Sequence, residues 1–149
     1  MKVQELITIN APLNKTFAVF TDFGQMADRV EGIKQLRVLA GKKPQAGFKW
    51  AETRQMGNKV GEAKFEITDF TKNTDFTAVG EHSGMRFITT QAFKTKGNKT
   101  IVTATTLTQA TTVGMRIVLA LFDWVMKKEM QKTVQSDLQD LKKATESSV

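Results

Sequence analysis

Residues 112–145, TVGMRIVLALFDWVMKKEMQKTVQSDLQDLKKAT, decide how the rest of the chain must fold. Apolar side chains recur here at three- and four-residue steps, the spacing of one face of an α-helix. The stripe consists of Met115, Leu119, Phe122, Met126, Met130, Val134, Leu138 and Leu141. We therefore predict one long C-terminal helix whose apolar stripe packs against another apolar surface along its whole length.

The segments before this helix predict an antiparallel sheet that supplies that surface. Turn clusters at 41–44, 57–59, 72–74, 82–84 and 97–99 separate stretches rich in Thr, Val, Ile and Phe. We predict strands over about 2–10, 33–40, 47–55, 60–70, 75–81, 85–94 and 100–110, and short helices over about 12–20 and 23–30. The chain is then a single α+β domain, residues 1–149, whose sheet curves around the last helix.

Composition narrows the chemistry. The 149 residues include no cysteine, no tyrosine and one histidine, which excludes disulfides, thiolate zinc sites and any site that needs two imidazoles. The one histidine, His82, is the obvious candidate for a general base. It lies in Glu81-His82-Ser83-Gly84, however, which predicts a hairpin tip surrounded by solvent. We therefore predict no catalytic residue, no metal and no cofactor.

The N-terminal sequence, the apolar run 113–126 and the net charge indicate where the protein is located and what it binds. The N-terminus lacks the pattern of a secretory signal, and the apolar run 113–126 is shorter than a membrane span, so we expect a cytoplasmic protein. The formal charge of +7 comes mostly from the sheet region, with lysines at its turns: Lys42, Lys43, Lys94, Lys96 and Lys99. Without interleaved exposed aromatic residues, we do not expect nucleic acid as a partner. Solvated turns explain these lysines, and an anionic membrane or acidic partner is the alternative.

Short motifs recur along the whole chain: Ile7-Thr8-Ile9-Asn10-Ala11-Pro12 leading to Val19-Phe20-Thr21-Asp22, then Gly47-Phe48-Lys49-Trp50, Glu66-Ile67-Thr68-Asp69-Phe70 and Thr100-Ile101-Val102-Thr103. With the order of the predicted elements, they resemble the START/Bet v 1-like superfamily (SRPBCC), in its polyketide cyclase/dehydrase and lipid-transport branch. The resemblance implies a helix-grip fold, with a seven-stranded antiparallel sheet around the last helix and two short helices between the first two strands. It also implies a cavity for a lipid, quinone or polyketide-like ligand, but it does not choose between carriage and cyclisation.

If strand alternation holds, one set of side chains lines that cavity. The predicted ligand-binding residues are Trp50, Phe65, Ile67, Phe76, Phe87, Thr89, Phe93, Thr103, Thr105 and Leu107 on the sheet, and Met115, Leu119, Phe122 and Met126 on the helix. Methionine adapts to apolar ligands and hydroxyls orient them, so binding of a hydrophobic small molecule is the predicted function. The alternative is that these residues fill an ordinary core.

Two further features leave alternatives open. Glu52 and Arg54 share a strand face with Trp50. A buried pair there would support a cyclase or dehydratase, whereas a surface ion pair, the interpretation we favour, would not.

On the last helix, Val113, Ile117, Leu121 and Trp124 lie opposite the long stripe. This outer face predicts a homodimer contact first, a membrane contact second, or else a cover formed by a short helix or loop.

Overall fold

Within residues 1–56 and 58–147, which the computed structural model describes, seven antiparallel strands form one sheet around a long helix. In chain order the elements are β1 (Lys2–Ile9), α1 (Leu13–Phe20), a 3-10 helix (Phe23–Gln25), α2 (Met26–Arg29), β2 (Ile33–Ala40), β3 (Lys49–Met56), β4 (Lys59–Thr71), β5 (Asp75–His82), β6 (Met85–Lys96), β7 (Lys99–Ala110) and α3 (Val113–Ser147). The predicted order of elements is confirmed. The expected turn at 57–59 includes Gly57, which lies outside the described residues, as do Ser148 and Val149.

The sheet runs in the order β1-β7-β6-β5-β4-β3-β2, so the first and last strands of the chain are neighbours. The connection from β1 to β2 must therefore cross from one sheet edge to the other, and α1 and α2 lie in it. The hydroxyl of Thr100 in β7 donates to the carbonyl of Ala11 (2.9 Å) and so ties the start of this connection to the sheet. The short helices thereby close one end of the concave face.

An aromatic core fills that closed end. Phe17 of α1 meets Phe93 edge-on with ring centroids 5.0 Å apart, and Phe23 lies 4.4 Å from the ring of Trp50. Leu138 and Leu141 of α3 belong to the same cluster of buried residues. Aromatic side chains bury the largest apolar areas, and edge-on pairs add to that stabilisation. The main core therefore lies under α1 and the second half of α3.

The two halves of α3 are held differently. In the second half, Lys142 Nζ donates to the carbonyl of Thr8 (2.7 Å), and Glu146 accepts from the backbone N–H of Asn10 (2.8 Å). Within the first half, residues 113–126, Phe122 leaves the helical region with φ −123° and ψ 16°. Among the described residues of α3, only Leu138, Leu141 and Thr145 are buried. The prediction that the stripe is buried along its whole length is thus wrong for the first half.

The start of α3 is tied to the sheet at its other end. The N–H of Thr111 donates to the carbonyl of Gly84 in the β5–β6 turn (2.7 Å), and the hydroxyl of Thr112 caps the helix by accepting from the N–H of Met115 (3.1 Å). Gly84 has φ +78°, and a Cβ there would lie 3.1 Å from the Thr112 hydroxyl. Glycine therefore permits both the turn and the close approach of the helix.

Candidate binding site between the sheet and the last helix

The register of the sheet places predicted site residues in rows across the concave face. Directly paired residues of antiparallel strands share a face, and one such row is Trp50, Phe65, Gly80, Phe87 and Thr108. The Phe65 ring stacks on Trp50 at a centroid distance of 5.4 Å. A Cβ on Gly80 would overlap the Phe65 ring. The absence of a side chain at residue 80 therefore lets this ring lie flat against the sheet.

The neighbouring row adds hydroxyl groups to the same face. Ala78 pairs with Thr89, and Thr89 pairs with Thr106, whose hydroxyl lies 3.2 Å from that of Thr89. Two further polar residues share the face, Gln91 two positions along β6 and Thr108 beside Phe87. Within the described part of the chain, Gln91 Oε1 and Thr108 Oγ1 are buried side-chain atoms without a hydrogen-bond partner. This face is thus apolar with polar interruptions.

Burial divides the predicted ligand-binding residues into two groups. Trp50, Ile67, Phe76 and Phe93 are fully buried in the aromatic core. A second group is half-buried: Phe65, Phe87 and Thr89 on the sheet, and Met115, Leu119 and Met126 on the first half of α3. The first group fills the closed end. The second group lies beside the half of α3 that has no fully buried side chain among its described residues.

Four predicted residues are placed elsewhere. Thr103, Thr105 and Leu107 lie on the outer face of the sheet, because their neighbours Val102, Ala104 and Thr106 occupy the inner one. Thr105 pairs with Thr90, which itself bonds the outer-face hydroxyl of Thr77 at 2.9 Å. Phe122 is 52% exposed at the break in α3, so it is not packed between helix and sheet. The assignment of these four residues to the cavity is wrong.

Glu52 and Arg54 face inward and form part of a polar cluster that joins β3 to α3. Glu52 accepts from Trp50 Nε1 (2.9 Å) and from Arg54 Nε (2.7 Å). The two terminal nitrogens of Arg54 donate to the two carboxylate oxygens of Asp137 at 3.2 and 2.6 Å. We call these four residues the polar clamp. The interpretation of Glu52 and Arg54 as a surface ion pair is therefore wrong.

Electrostatics keep the polar clamp charged around its arginine. Burial by itself would lower the pKa of Arg54, but attraction to Asp137 and Glu52 outweighs it and leaves the pKa raised. Burial raises the pKa of Asp137, and the nearby guanidinium offsets only part of that shift. Arg54 thus donates hydrogen bonds to the carboxylates of Glu52 and Asp137. This geometry fixes α3 to the sheet.

Asp137, Gln91, Thr106 and Thr108 are not among the predicted ligand-binding residues. Asp137 is separated from Arg54 by 83 positions, and a carboxylate on a polar helix face gives no local signal that it will meet an arginine. Gln91 carried a usable signal, since it shares a strand face with residues of the predicted core, whereas Thr106 and Thr108 carried none, because threonine occupies both faces of β7. The alternation in β6 alone places Gln91 with Phe87 and Phe93.

His82 lies at the β5–β6 hairpin, as predicted. Its Nδ1 is 2.8 Å from the carbonyl oxygen of Glu62, and the side chain is half-buried at the surface. Among the described residues no group of three or more histidine or acidic side chains is arranged to hold a metal ion. No helix in the described ranges is long and apolar enough to cross a membrane.

Two open grooves are lined mostly by residues outside the predicted site, although Phe65 and Gly80 border the first. One, of about 760 Å³, follows β4 and β5 between Lys64, Glu66, Val79 and Arg86. The other, of about 450 Å³, separates α2 from the end of α3 and is lined by charged residues including Arg29, Asp140 and Lys143. Both have charged walls, and neither is lined by a residue of the first half of α3.

The outer face of α3 is exposed. Val113 is 71% exposed, Ile117 57%, Leu121 64% and Trp124 73%. No element of the described chain covers these four side chains, so the interpretation that a short helix or loop buries them is wrong. Val118 and Val125, which the sequence pattern did not single out, are exposed beside them.

Solved structures of other proteins share this architecture. A protein from Thermus thermophilus is 19% identical, with a TM-score of 0.83 and 97% of each chain covered. A START superfamily protein from Mycobacterium smegmatis is 12% identical, with a TM-score of 0.76 and the same coverage. The Zhui aromatase/cyclase from Streptomyces sp. R1128 is 12% identical, with a TM-score of 0.72, covering 98% of this chain and 93% of its own. These similarities establish the helix-grip fold.

No curated protein matches the chain by sequence. One family model does match, described as polyketide cyclase / dehydrase and lipid transport, and it spans residues 1–146. That range includes every strand, both short helices and almost all of α3. The protein therefore belongs to the polyketide cyclase / dehydrase and lipid transport family.

Proposed function

We propose that this protein binds a hydrophobic small molecule between the concave face of the sheet and the first half of α3. The observation that carries the proposal is the half-burial of both walls. Phe65, Phe87 and Thr89 on the sheet, and Met115 and Met126 on the helix, are neither sealed in the core nor free on the surface. Among the described residues, the core cluster includes no side chain from residues 113–126 of α3. An apolar guest would complete the burial of both walls, and such sites are mostly apolar with a few polar groups.

The chemistry of the walls favours binding over turnover. Phenyl and thioether groups contact apolar ligands without reacting, and the hydroxyls of Thr89 and Thr106 bond each other. His82 is turned to a backbone carbonyl at the hairpin. Lipids, quinones and polyketide-like molecules all present the extended apolar surface that this lining accepts.

A cyclase or dehydratase is the second candidate, and the inward orientation of Glu52 and Arg54 favours it. In such an enzyme Arg54 would polarise a substrate carbonyl. The guanidinium is already shared between Glu52 and Asp137, so a substrate would have to displace one carboxylate. This competition supports a structural part for the polar clamp and makes the enzyme the second candidate.

A space-filling substitution tests binding at the proposed site. Thr89→Phe adds a ring to the inner face, whereas Thr90→Phe adds the same ring to the outer face one residue later. We expect Thr89→Phe to weaken binding of the fluorescent probe 1-anilinonaphthalene-8-sulfonate by roughly tenfold or more, because the ring occupies the volume of the guest. Thr90→Phe should bind the probe as the wild type does. Equal effects of the two variants, at equal melting temperature, would refute the site.

A further inference from the structure

The first half of α3 carries an apolar surface that no other part of the described chain covers. It consists of Val113, Ile117, Val118, Leu121, Phe122, Trp124 and Val125, between 38% and 73% exposed. We call these seven residues the helix surface. Scattered exposed apolar residues are ordinary, but a contiguous set on one short segment marks an interaction site.

The angular width of the helix surface indicates whether it contacts another helix or a membrane interface. With roughly 100° between successive residues, Val113, Ile117, Leu121 and Val118 lie at about 0°, 40°, 80° and 140° around the helix. Beyond the break, Trp124 and Val125 continue the exposed apolar run. A helix that packs on one partner helix needs a stripe of about 100°. An arc of about 140° is wider than that stripe and matches a helix lying partly immersed in a fluid interface.

The charges beside the helix surface favour an anionic interface. Between residues 113 and 132 there are four basic side chains, Arg116, Lys127, Lys128 and Lys132, against two acidic ones, Asp123 and Glu129. The whole chain carries +7. Lysines that follow an apolar helix face attract anionic headgroups, and tryptophan is enriched at the level where apolar chains meet headgroups.

We propose that the helix surface docks onto an anionic phospholipid bilayer, with the first half of α3 lying in the plane of the interface. Trp124 and Leu121 then enter the boundary between headgroups and acyl chains, and Lys127 and Lys128 meet the phosphates. The other side of the same helix segment borders the proposed ligand site. Docking does not depend on that site, because its apolar contacts are made by the outer side chains.

The two tryptophans give a direct optical test. Trp50 is buried and bonded to Glu52, whereas Trp124 is 73% exposed. Vesicles of phosphatidylcholine with phosphatidylglycerol should shift the emission to the blue and protect it from iodide, and Trp124→Phe should remove that response while cosedimentation persists. Vesicles of phosphatidylcholine alone should bind more weakly, and added salt should reduce binding to the anionic ones.

Matched variants separate docking from its alternatives. Leu121→Glu should reduce cosedimentation with anionic vesicles by roughly tenfold or more, since it removes apolar burial and adds repulsion. Leu6→Glu, equally exposed on the outer face of β1, should leave it unchanged. Both variants should retain probe binding at the proposed ligand site. The proposal is overturned if the protein does not cosediment with anionic vesicles, or if both variants cosediment to the same extent. It is also overturned if the protein is a dimer that Leu121→Glu dissociates and that does not bind vesicles.

Discussion

At the scale of residues, the polar clamp shows how one arginine joins two elements. The guanidinium is planar and offers a fork of donors, so Arg54 can serve Glu52 with one nitrogen and Asp137 with two. Glu52 is 7% exposed and is further held by the indole of Trp50. Each buried charge has a partner, which is the condition under which burial of charge is tolerated.

Removal of the arginine should therefore be costly. Arg54→Met leaves the carboxylates of Glu52 and Asp137 without a cation, and we expect the free energy of unfolding to fall by roughly 2–4 kcal/mol. Chemical denaturation measures the change. The triple variant Arg54→Met, Glu52→Gln, Asp137→Asn removes both orphaned charges and should recover at least half of the loss. A loss of less than about 0.5 kcal/mol for the single variant would mean that solvent screens the clamp.

At the scale of elements, α3 behaves as two segments, residues 113–126, which contain the break at Phe122, and the remainder of the helix. The second half is held by the buried Leu138 and Leu141 and by bonds from Lys142 and Glu146. The first half depends on its start, where Thr112 caps the helix and Thr111 bonds Gly84. Segments with few buried apolar contacts open at low free energy, so the first half should be the more dynamic one.

Loss of the Thr112 cap should consequently destabilise the first turns of α3 more than it destabilises the whole protein. Thr112→Ala removes a cap worth about 1 kcal/mol, so amide hydrogen exchange over residues 115–121 should accelerate roughly fivefold. Exchange over 136–145 and the melting temperature should stay nearly unchanged. Thr111→Ala, which keeps its backbone bond to Gly84, is the control. Uniform acceleration across α3 would contradict the division of the helix into two segments.

At the scale of the whole molecule, the sheet, short helices and α3 enclose a core at one end and leave side chains at the other end half-buried. Exposed apolar residues on the outside of α3 coincide with half-buried ones on its inside. Such a segment gains burial from a guest on one side and from an interface on the other. The two proposals therefore concern opposite faces of the same stretch, residues 113–126.

Ligand removal should then lower the stability of the whole domain. A guest at about one hundred times its dissociation constant stabilises the native state by about 2.7 kcal/mol, so extraction on a hydrophobic resin should lower the melting temperature by several degrees. Calorimetry before and after extraction measures the difference. Thr89→Phe, whose added ring replaces the guest, should melt at the same temperature in both preparations. No change in the wild type, with no lipid recovered from the resin, would count against the proposed function.

The sequence by itself determined the order of the elements, their approximate bounds and the inner face of β6. These follow from local rules: turn residues end strands, and Phe87, Thr89 and Phe93 alternate with residues of the other face. The same rule failed in β7, because threonine occupies both faces of that strand and erases the contrast between inside and outside. The phase of β7 is set by its pairing with β1 and β6.

Only the tertiary structure decided which part of the helical stripe is buried, where Arg54 points and whether the described chain covers the outer face of α3. The spacing of Met115 to Leu141 predicts a stripe but not how far the curved sheet and α1 reach along it. The partner of Arg54 lies on a helix that begins 59 residues later, so no local pattern announces it. Local periodicity specifies which side chains share a face, whereas the packing of distant elements specifies what that face meets.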